Sequence, residues 1–446
     1  MIQIDANAYQ FIDEVNGAFL EAGLTQPLNE SMNAVDAVNA LNIAFSSYSG
    51  KIEITTSMDA DDIIAVVNNN LSLIEGNSTI KFLHISDIHN HASADAINYC
   101  KTLMDGDNTL KFTFLTGDYS GYNGSYYYMT PPLQSLGNKI LMLNGNHDVY
   151  DGFGDNQSNA TRYLKTIVTN ADVHWVDTNG VASYYYMDII LSSTSKLRII
   201  SVDAYDYRNV SGWSKYDTIY SQTQVDWIVA RMTELRQTDY FIIAMHEPPV
   251  NASMTDYSYN VNGKMDDDIV ALRRHNPFCS ARLWVWDTSL TNGNLFPILV
   301  DAYVNRQSIS RSITNTNSVT GAVVSSINCN YNFQSVSPAT FLFYLGGHLH
   351  GDFVAYHPTF QNQLIVLVDC GNTSTLGYSS DIGDRSTDTS YGTRNNGVLV
   401  NQVQLDFDNQ ETTITRIGQN EARSFNGFPA LIRGNITVPF IKDSSR

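Results

Sequence analysis

From Lys81 onward the chain keeps returning to one arrangement: a short apolar run, long enough for a buried strand, stopped by a compact polar motif. "KFLHIS" runs into "DIH", "KFTFLT" into "GDYS", "KILML" into "NGNHD", "YFIIAM" into "HEPP", and "FLFYL" into "GGHLHGD". Further runs are "LRIISV" and "LIVLVD". Apolar runs of this length bounded by turn residues read as strands, and the helically spaced segments between them, through Ile97, Cys100 and Met104 and from Gln222 to Leu235, read as helices. Strands alternating with helices predict an α/β fold. Near the end, "GVLVNQVQLDF" and "ETTITRI" around "DNQ" predict an antiparallel hairpin, so the sheets should be mixed.

A chain of 446 residues buries enough surface to fold without disulfides or a structural metal. Its four cysteines, Cys100, Cys279, Cys329 and Cys370, form no zinc-type spacing and read as free thiols. With 26 basic and 45 acidic residues the net charge is -19, which repels polyphosphate backbones and argues against nucleic acid as a partner. No apolar run approaches the roughly 18 residues of a membrane span, and "MIQIDANAYQ" has no signal-peptide pattern. The expectation is a soluble protein, cytoplasmic or virion-associated. The neutral-polar composition, with 26 tyrosines, resembles that of secreted or phage structural proteins.

Three regions are expected. Residues 1–78 read as an α-rich module, with helices from Asp5 to Gly23, about Glu30 to Phe45, and Asp59 to Ile74, and a short strand in "KIEITT". The first eighty residues hold eleven acids against Lys51 alone. This module is expected to pack on its neighbour, or to dock in a homo-oligomer or a virion; no internal repeat is read in it. Residues 79–420 form the main domain, with an insertion at about 250–338 that could cap a cleft, and 421–446 are read as a tail. The polar run Gly371 to Asn396 reads as a long loop.

The polar motifs all follow carboxyl ends of strands, where loops of an α/β sheet converge on one crevice. They bring Asp87, His89, Asp118, Asn146, His147, Asp148, His246, His348 and His350 toward one region. Carboxylate, imidazole and amide donors without thiolates suit Mn, Fe or Zn. Seven such ligands exceed what one ion needs, so two divalent ions, with one carboxylate between them, fit better.

In this order, D-x-H, GD, GNHD, His and GHxH resemble the calcineurin-like metallophosphoesterase superfamily, over about residues 81 to 417. "VDAYDY" and "SQTQVDWI" are supporting marks, the latter similar to a Gln-and-Trp helix of that family. The resemblance implies two mixed sheets packed as a sandwich flanked by helices. It implies one metal on Asp87, His89 and His350, a second on Asn146, His246 and His348, and Asp118 bridging. It further implies that a hydroxide between the ions attacks a phosphate ester, with His147 as proton donor or charge stabiliser and Asp148 orienting its ring.

A phosphomonoesterase or phosphodiesterase is therefore expected. The rival reading is a structural or attachment protein of a phage tail that retains this fold and acts on cell-surface phosphodiesters. His84, of opposite parity to Asp87 within its strand, is expected to be a buried histidine satisfied by a neighbour. His91 stands beside a helix start at Ser93, and Asp352, His174, His275 and His357 are read as non-ligands.

Overall fold

The structure is a computed structural model. It describes residues 12, 15–16, 27–28, 34–44, 54–55, 57–58, 62–64, 66–67, 78–88, 93–120, 126–149, 153, 157–177, 180, 182–192, 194–206, 220–247, 249, 269–270, 295–316, 323–347, 353–357, 360, 362–368, 399–418 and 435–441.

Two mixed sheets carry the fold, as expected. The first contains β1 (Thr79–Ile85), β2 (Leu110–Leu115), β3 (Ile140–Met142), β14 (Leu399–Asp406), β15 (Glu411–Gly418) and β16 (Asn435–Pro439), in the order β16-β15-β14-β1-β2-β3. Strands β1, β2 and β3 are parallel, and β14 lies antiparallel beside β1 in the register Thr79 to Asp406. The second sheet contains β4 (Val173–Trp175), β5 (Tyr185–Ser192), β6 (Ser195–Ser201), β7 (Tyr240–Ala244), β8 (Ile269–Val270), β11 (Thr340–Gly346), β12 (Phe353–Tyr356) and β13 (Leu364–Leu367). Its order is β4-β5-β6-β7-β11-β13-β12-β8, with a parallel centre of β6, β7, β11 and β13 and antiparallel flanks. A separate hairpin pairs β9 (Ser308–Thr316) with β10 (Val323–Asn332).

Period-two alternation explains why the second sheet is buried on both faces. Ile242 and Ala244 of β7 join the core shared with β1, β2 and β14, together with Ile97, Cys100, Met129 and Leu164 from helices. Phe241 and Ile243 point the other way, into a core closed by α5 (Gln222–Thr233) and α6 (Leu295–Val304). Helices α2 (Ser93–Gly106), α3 (Tyr126–Ser135) and α4 (Gln157–Ile167) supply the first core's other side. Within the segment expected to be an insertion, Leu295, Phe296, Leu299 and Tyr303 of α6 are buried in the second core, as are Ile313 and Ile327 of the hairpin. These parts belong to the body of the domain; residues 271–294 lie outside the described residues. The expected tail supplies β16, whose Val438 and Phe440 are buried, because its apolar residues alternate and complete the edge beside β15.

The N-terminal region has its own small core of Val15, Leu28, Val38, Leu41, Ile54, Ile63 and Val67, against which Ile190 of β5 packs. Helix α1 (Ala34–Ala44) falls within the second expected helix, and residues 12, 15–16, 62–64 and 66–67 are helical where the first and third were expected. One expectation is corrected here, that this region holds no repeat. Of the expected strand "KIEITT", Ile54 and Thr55 are the described residues; Ile54 donates its N–H to Asn42 Oδ1 at 3.0 Å, and its carbonyl accepts from Asn42 Nδ2 at 2.7 Å. Asn16 holds Leu28 in the same way, at 3.1 and 2.9 Å, so the region contains an internal repeat. No helix among the described residues is long and apolar enough to cross a membrane.

Candidate metal centre

The ends of β1, β2, β3, β7 and β11 meet where the two sheets adjoin. Main-chain bonds tie the loops within each sheet: Thr116 N–H to Ile85 O and Asp87 N–H to Gly117 O in the first, at 2.9 and 3.0 Å, and Gly347 N–H to His246 O in the second, at 3.0 Å. Asp87 and Asp118 turn their carboxyls inward from left-handed backbone, with φ of 54° and 53°. Non-glycine residues adopt that conformation at a cost of about 1–3 kcal/mol, and it is concentrated at functional sites.

Three glycines make the close approach possible. A Cβ on Gly117, whose φ is 99°, would lie 2.5 Å from His246 Nδ1; one on Gly145 would lie 2.5 Å from the Asp118 nitrogen; and one on Gly347 would lie 2.5 Å from Asp87 Oδ2. The "GD", "GNHD" and "GGH" motifs contain these glycines, so their presence was readable, but the bodies they clear room for were not.

Asp87, Asp118 and His246 are buried and offer ligand atoms that all lie within 4.8 Å of one another. His246 Nδ1 lies 2.7 Å from the Thr116 carbonyl and is placed to donate to it. That leaves Nε2 facing two oxygens, Asp118 Oδ2 at 3.2 Å and Asn146 Oδ1 at 3.2 Å. With its one proton on Nδ1, a neutral imidazole presents a lone pair there beside the two oxygens, an arrangement that either a second ring proton or a metal ion satisfies. Burial lowers the His246 pKa, but Asp118, then Asp87 and Glu247, outweigh it and raise it to about 10. The pocket attracts positive charge, and its O and N donors fit a divalent metal.

Asp148 is buried beneath this group. Its Oδ2 accepts the N–H of Asp118 at 2.8 Å and of Gly145 at 2.6 Å, and its Oδ1 accepts that of Ser120 at 2.7 Å. Burial and the neighbouring Asp118 charge push its pKa well up, against the pull of the amides. The His147 main-chain N–H donates to Asp118 Oδ1 at 2.8 Å, and its side chain is half-buried.

The structure thus brings Asp87, Asp118, Asn146, His147, Asp148 and His246 together. His89, His348 and His350 lie outside the described residues, as do His91, His275 and Asp352. A profile described as Calcineurin-like phosphoesterase matches residues 80–284. Residues 80–284 thus carry the likeness to a calcineurin-like phosphoesterase domain.

Two solved structures are similar to this chain. Phosphopantetheinyl hydrolase from Mycobacterium tuberculosis is 12% identical, with 70% of this chain and 94% of that chain covered and a TM-score of 0.30. A phosphatase from Mycoplasma pneumoniae is 10% identical, with 77% and 94% covered and a TM-score of 0.33. No curated protein sequence matches the chain.

Other residues support the site from behind. His84 is buried, with Nε2 3.0 Å from Thr116 Oγ1, which agrees with its expected role. Burial lowers its pKa to about 3, against the pull of Asp87 and the Gly346 main chain. The "VDAYDY" and "SQTQVDWI" segments meet: Asp203 N–H donates to Gln224 Oε1 at 2.8 Å, and Gln224 Nε2 donates to the Asp203 carbonyl at 2.9 Å. Ser221 caps α5 by accepting from Gln224 N–H. Sequence reasoning passed over Glu247, which is buried beside His246 and accepts from Tyr205 Oη. The only available signal was its place in "MHEPP".

Proposed function

We propose that this chain is a metal-dependent hydrolase of phosphomonoesters or phosphodiesters that uses two divalent ions. The reading rests on the convergence of His246 Nε2 with the Asp118 and Asn146 side-chain oxygens, 3.2 Å each, in a buried space. Asp87, Asp118, Asn146 and His246 would hold the ions, together with His89, His348 and His350 of the same motif set. When bound, such ions neutralise charge on phosphoryl oxygens and generate hydroxide near neutral pH.

The remaining steps fall to the chain itself. His246 Nδ1, occupied by the Thr116 carbonyl, keeps Nε2 available as a ligand. Asp118 is oriented by the His147 N–H on one oxygen, which leaves the other directed at His246. The half-buried His147 side chain faces the substrate and gives a proton to the departing oxygen. Asp148 fixes the peptide planes of both loops.

The test combines metal content with turnover. The purified protein should bind more than one equivalent of Mn, Fe or Zn by elemental analysis and hydrolyse nitrophenyl phosphate or its diester. Asp118→Ala should lose both properties, whereas His147→Ala should keep the metal and lose about 10²-fold or more in rate. Less than one equivalent of metal, with turnover no higher than that of the variants, would overturn the reading.

A further inference from the structure

Tyr126, Phe153 and Tyr163 rest on the first core as partly buried rings, and with two neighbours they form one connected aromatic group. Phe153 stacks on Tyr126 with ring centres 4.1 Å apart and planes 19° apart, and Tyr126 in turn meets Tyr127 at 4.2 Å and 33°. Tyr163 supports the stack, 5.3 Å from Tyr126 and 5.5 Å from both Phe153 and Tyr119. Tyr119 is buried and directly follows Asp118. The stack therefore runs Phe153, Tyr126, Tyr127, from half-buried to open, and Tyr127 is 68% exposed.

Its place beside the metal centre follows from the topology. Strands β2 and β3 are parallel, so α3 between them begins at the carboxyl end of β2, where Asp118 stands. Phe153 N–H donates to the Asp148 carbonyl at 3.1 Å, which ties it to the residue next to His147. Gln157, the first residue of α4, donates from Nε2 to Asp203 Oδ2 at 2.9 Å, just past the end of β6 in the other sheet. Phe153 thus stands in sequence between His147 and a residue that reaches the other sheet's strand ends. The Tyr163 hydroxyl lies 3.1 Å from Thr130 Oγ1 and donates to the Tyr126 carbonyl at 3.3 Å, which fixes the first turn of α3 on α4. The rings are held on rigid elements, as a recognition surface requires.

Packing accounts for Tyr119, which is fully enclosed. It does not account for Tyr127, a ring that extends the stack outward and keeps most of its surface in water.

We propose that Tyr127, on the platform of Tyr126 and Phe153, binds an aromatic or heteroaromatic ring carried by the leaving group of the phosphate ester. This rests on the phosphoesterase reading above, in which His147 protonates the departing oxygen. The stack starts on the His147 side, so it meets the leaving group. Near-parallel rings suit one further stacked ring, whereas a quaternary ammonium is held by rings that face one another around a space.

Adenosine 5'-phosphate and ribose 5-phosphate release the same primary alkoxide and differ in the base, so the ratio of their kcat/KM values isolates the ring. Their methyl diesters serve a diesterase in the same way. With the full chain and Mn the ratio should be about tenfold or more, the scale of one base stacked on one aromatic side chain. Tyr127→Ala should bring it near one by raising the KM of the nucleotide, and Tyr127→Phe, which keeps the ring, should retain it. Tyr128→Ala, on the far side of α3 from Tyr126 and 78% exposed, should change nothing. A wild-type ratio near one, or a ratio that survives Tyr127→Ala, would overturn the proposal, while turnover of nitrophenyl phosphate in the same samples would leave the phosphoesterase reading standing. A preference for phosphocholine over phosphoethanolamine that Tyr127→Ala removes would overturn it too, by assigning the rings to a cation. No turnover of any ester, with less than one equivalent of metal, would sink that reading and the platform with it.

Discussion

Both oxygens of Asp148 accept main-chain N–H groups, so its influence on Asp118 runs through the backbone. Asp148→Asn keeps one acceptor and turns an amide NH₂ toward an N–H. It should destabilise the protein by about 2–4 kcal/mol in urea titration and lower metal content with it. If Asp148 served only to orient the His147 ring, stability would stay unchanged and only the pH–rate profile would move. The glycines give a ranked expectation. At Gly145 a Cβ would strike the Asp118 Oδ1 and also the Asp118 main-chain nitrogen, which cannot swing aside, whereas at Gly347 the three nearest atoms all belong to the Ser86 and Asp87 side chains. Gly145→Ala should therefore lose metal outright in elemental analysis, and Gly347→Ala should retain part of it. His84 supplies the pH dependence. Its folded pKa, about 3, lies below the ordinary 6.5, so the unfolded chain takes up the proton first as pH falls. The stability of the buried neutral ring is complete above about pH 6.5 and declines toward pH 3. His84→Gln should flatten that decline in thermal melts, and an equally steep decline in the variant would show that other groups carry it.

At the scale of elements, one side-chain amide holding one peptide recurs as a joint: Asn16 on Leu28, Asn42 on Ile54, and Gln224 on Asp203. Asn42→Ala removes two part-buried hydrogen bonds and should lower stability by about 1–3 kcal/mol. Asn42→Asp, which keeps the acceptor for Ile54 N–H but loses the donor to its carbonyl, should fall between the two. The strands and helices that position the metal centre were legible because apolar runs and polar stops are local signals a few residues long. Asp87, Asp118, Asn146 and His246 were legible for the same reason, each following such a run directly. The joints were not, since an asparagine in a helix says nothing about a backbone twelve residues away. The repeat escaped notice because Asn16 and Asn42 stand 26 residues apart, a spacing longer than any helix or strand period. The strand β16 was missed because its partner β15 is separated from it by residues 419–434.

For the whole molecule, the metal centre is also the junction of the two sheets. Asp87 comes from the end of β1 and Asp118 from the end of β2, while His246 and Gly347 come from β7 and β11. Among these buried groups the two carboxylates bring negative charge into a space of low polarity, where a divalent ion offsets them far more than it would at the surface. Folding and metal binding are then linked, because the unfolded chain cannot assemble ligands that lie as far apart as Asp87 and His246. Chelation should lower the thermal midpoint of the wild type, and Mn at about 100 times its dissociation constant should restore about 2.7 kcal/mol. Asp118→Ala should melt at one temperature with or without chelator, because it lacks the central carboxylate. The loss should fall on both sheets together, as the ligands come from both and His246 Nδ1 at the end of β7 bonds the Thr116 carbonyl at the end of β2. Hydrogen exchange of β1 and β11 amides would then accelerate in parallel on chelation. If β1 alone exchanged faster while β11 stayed protected, the centre would be a local feature of the first sheet and not the clamp between the two.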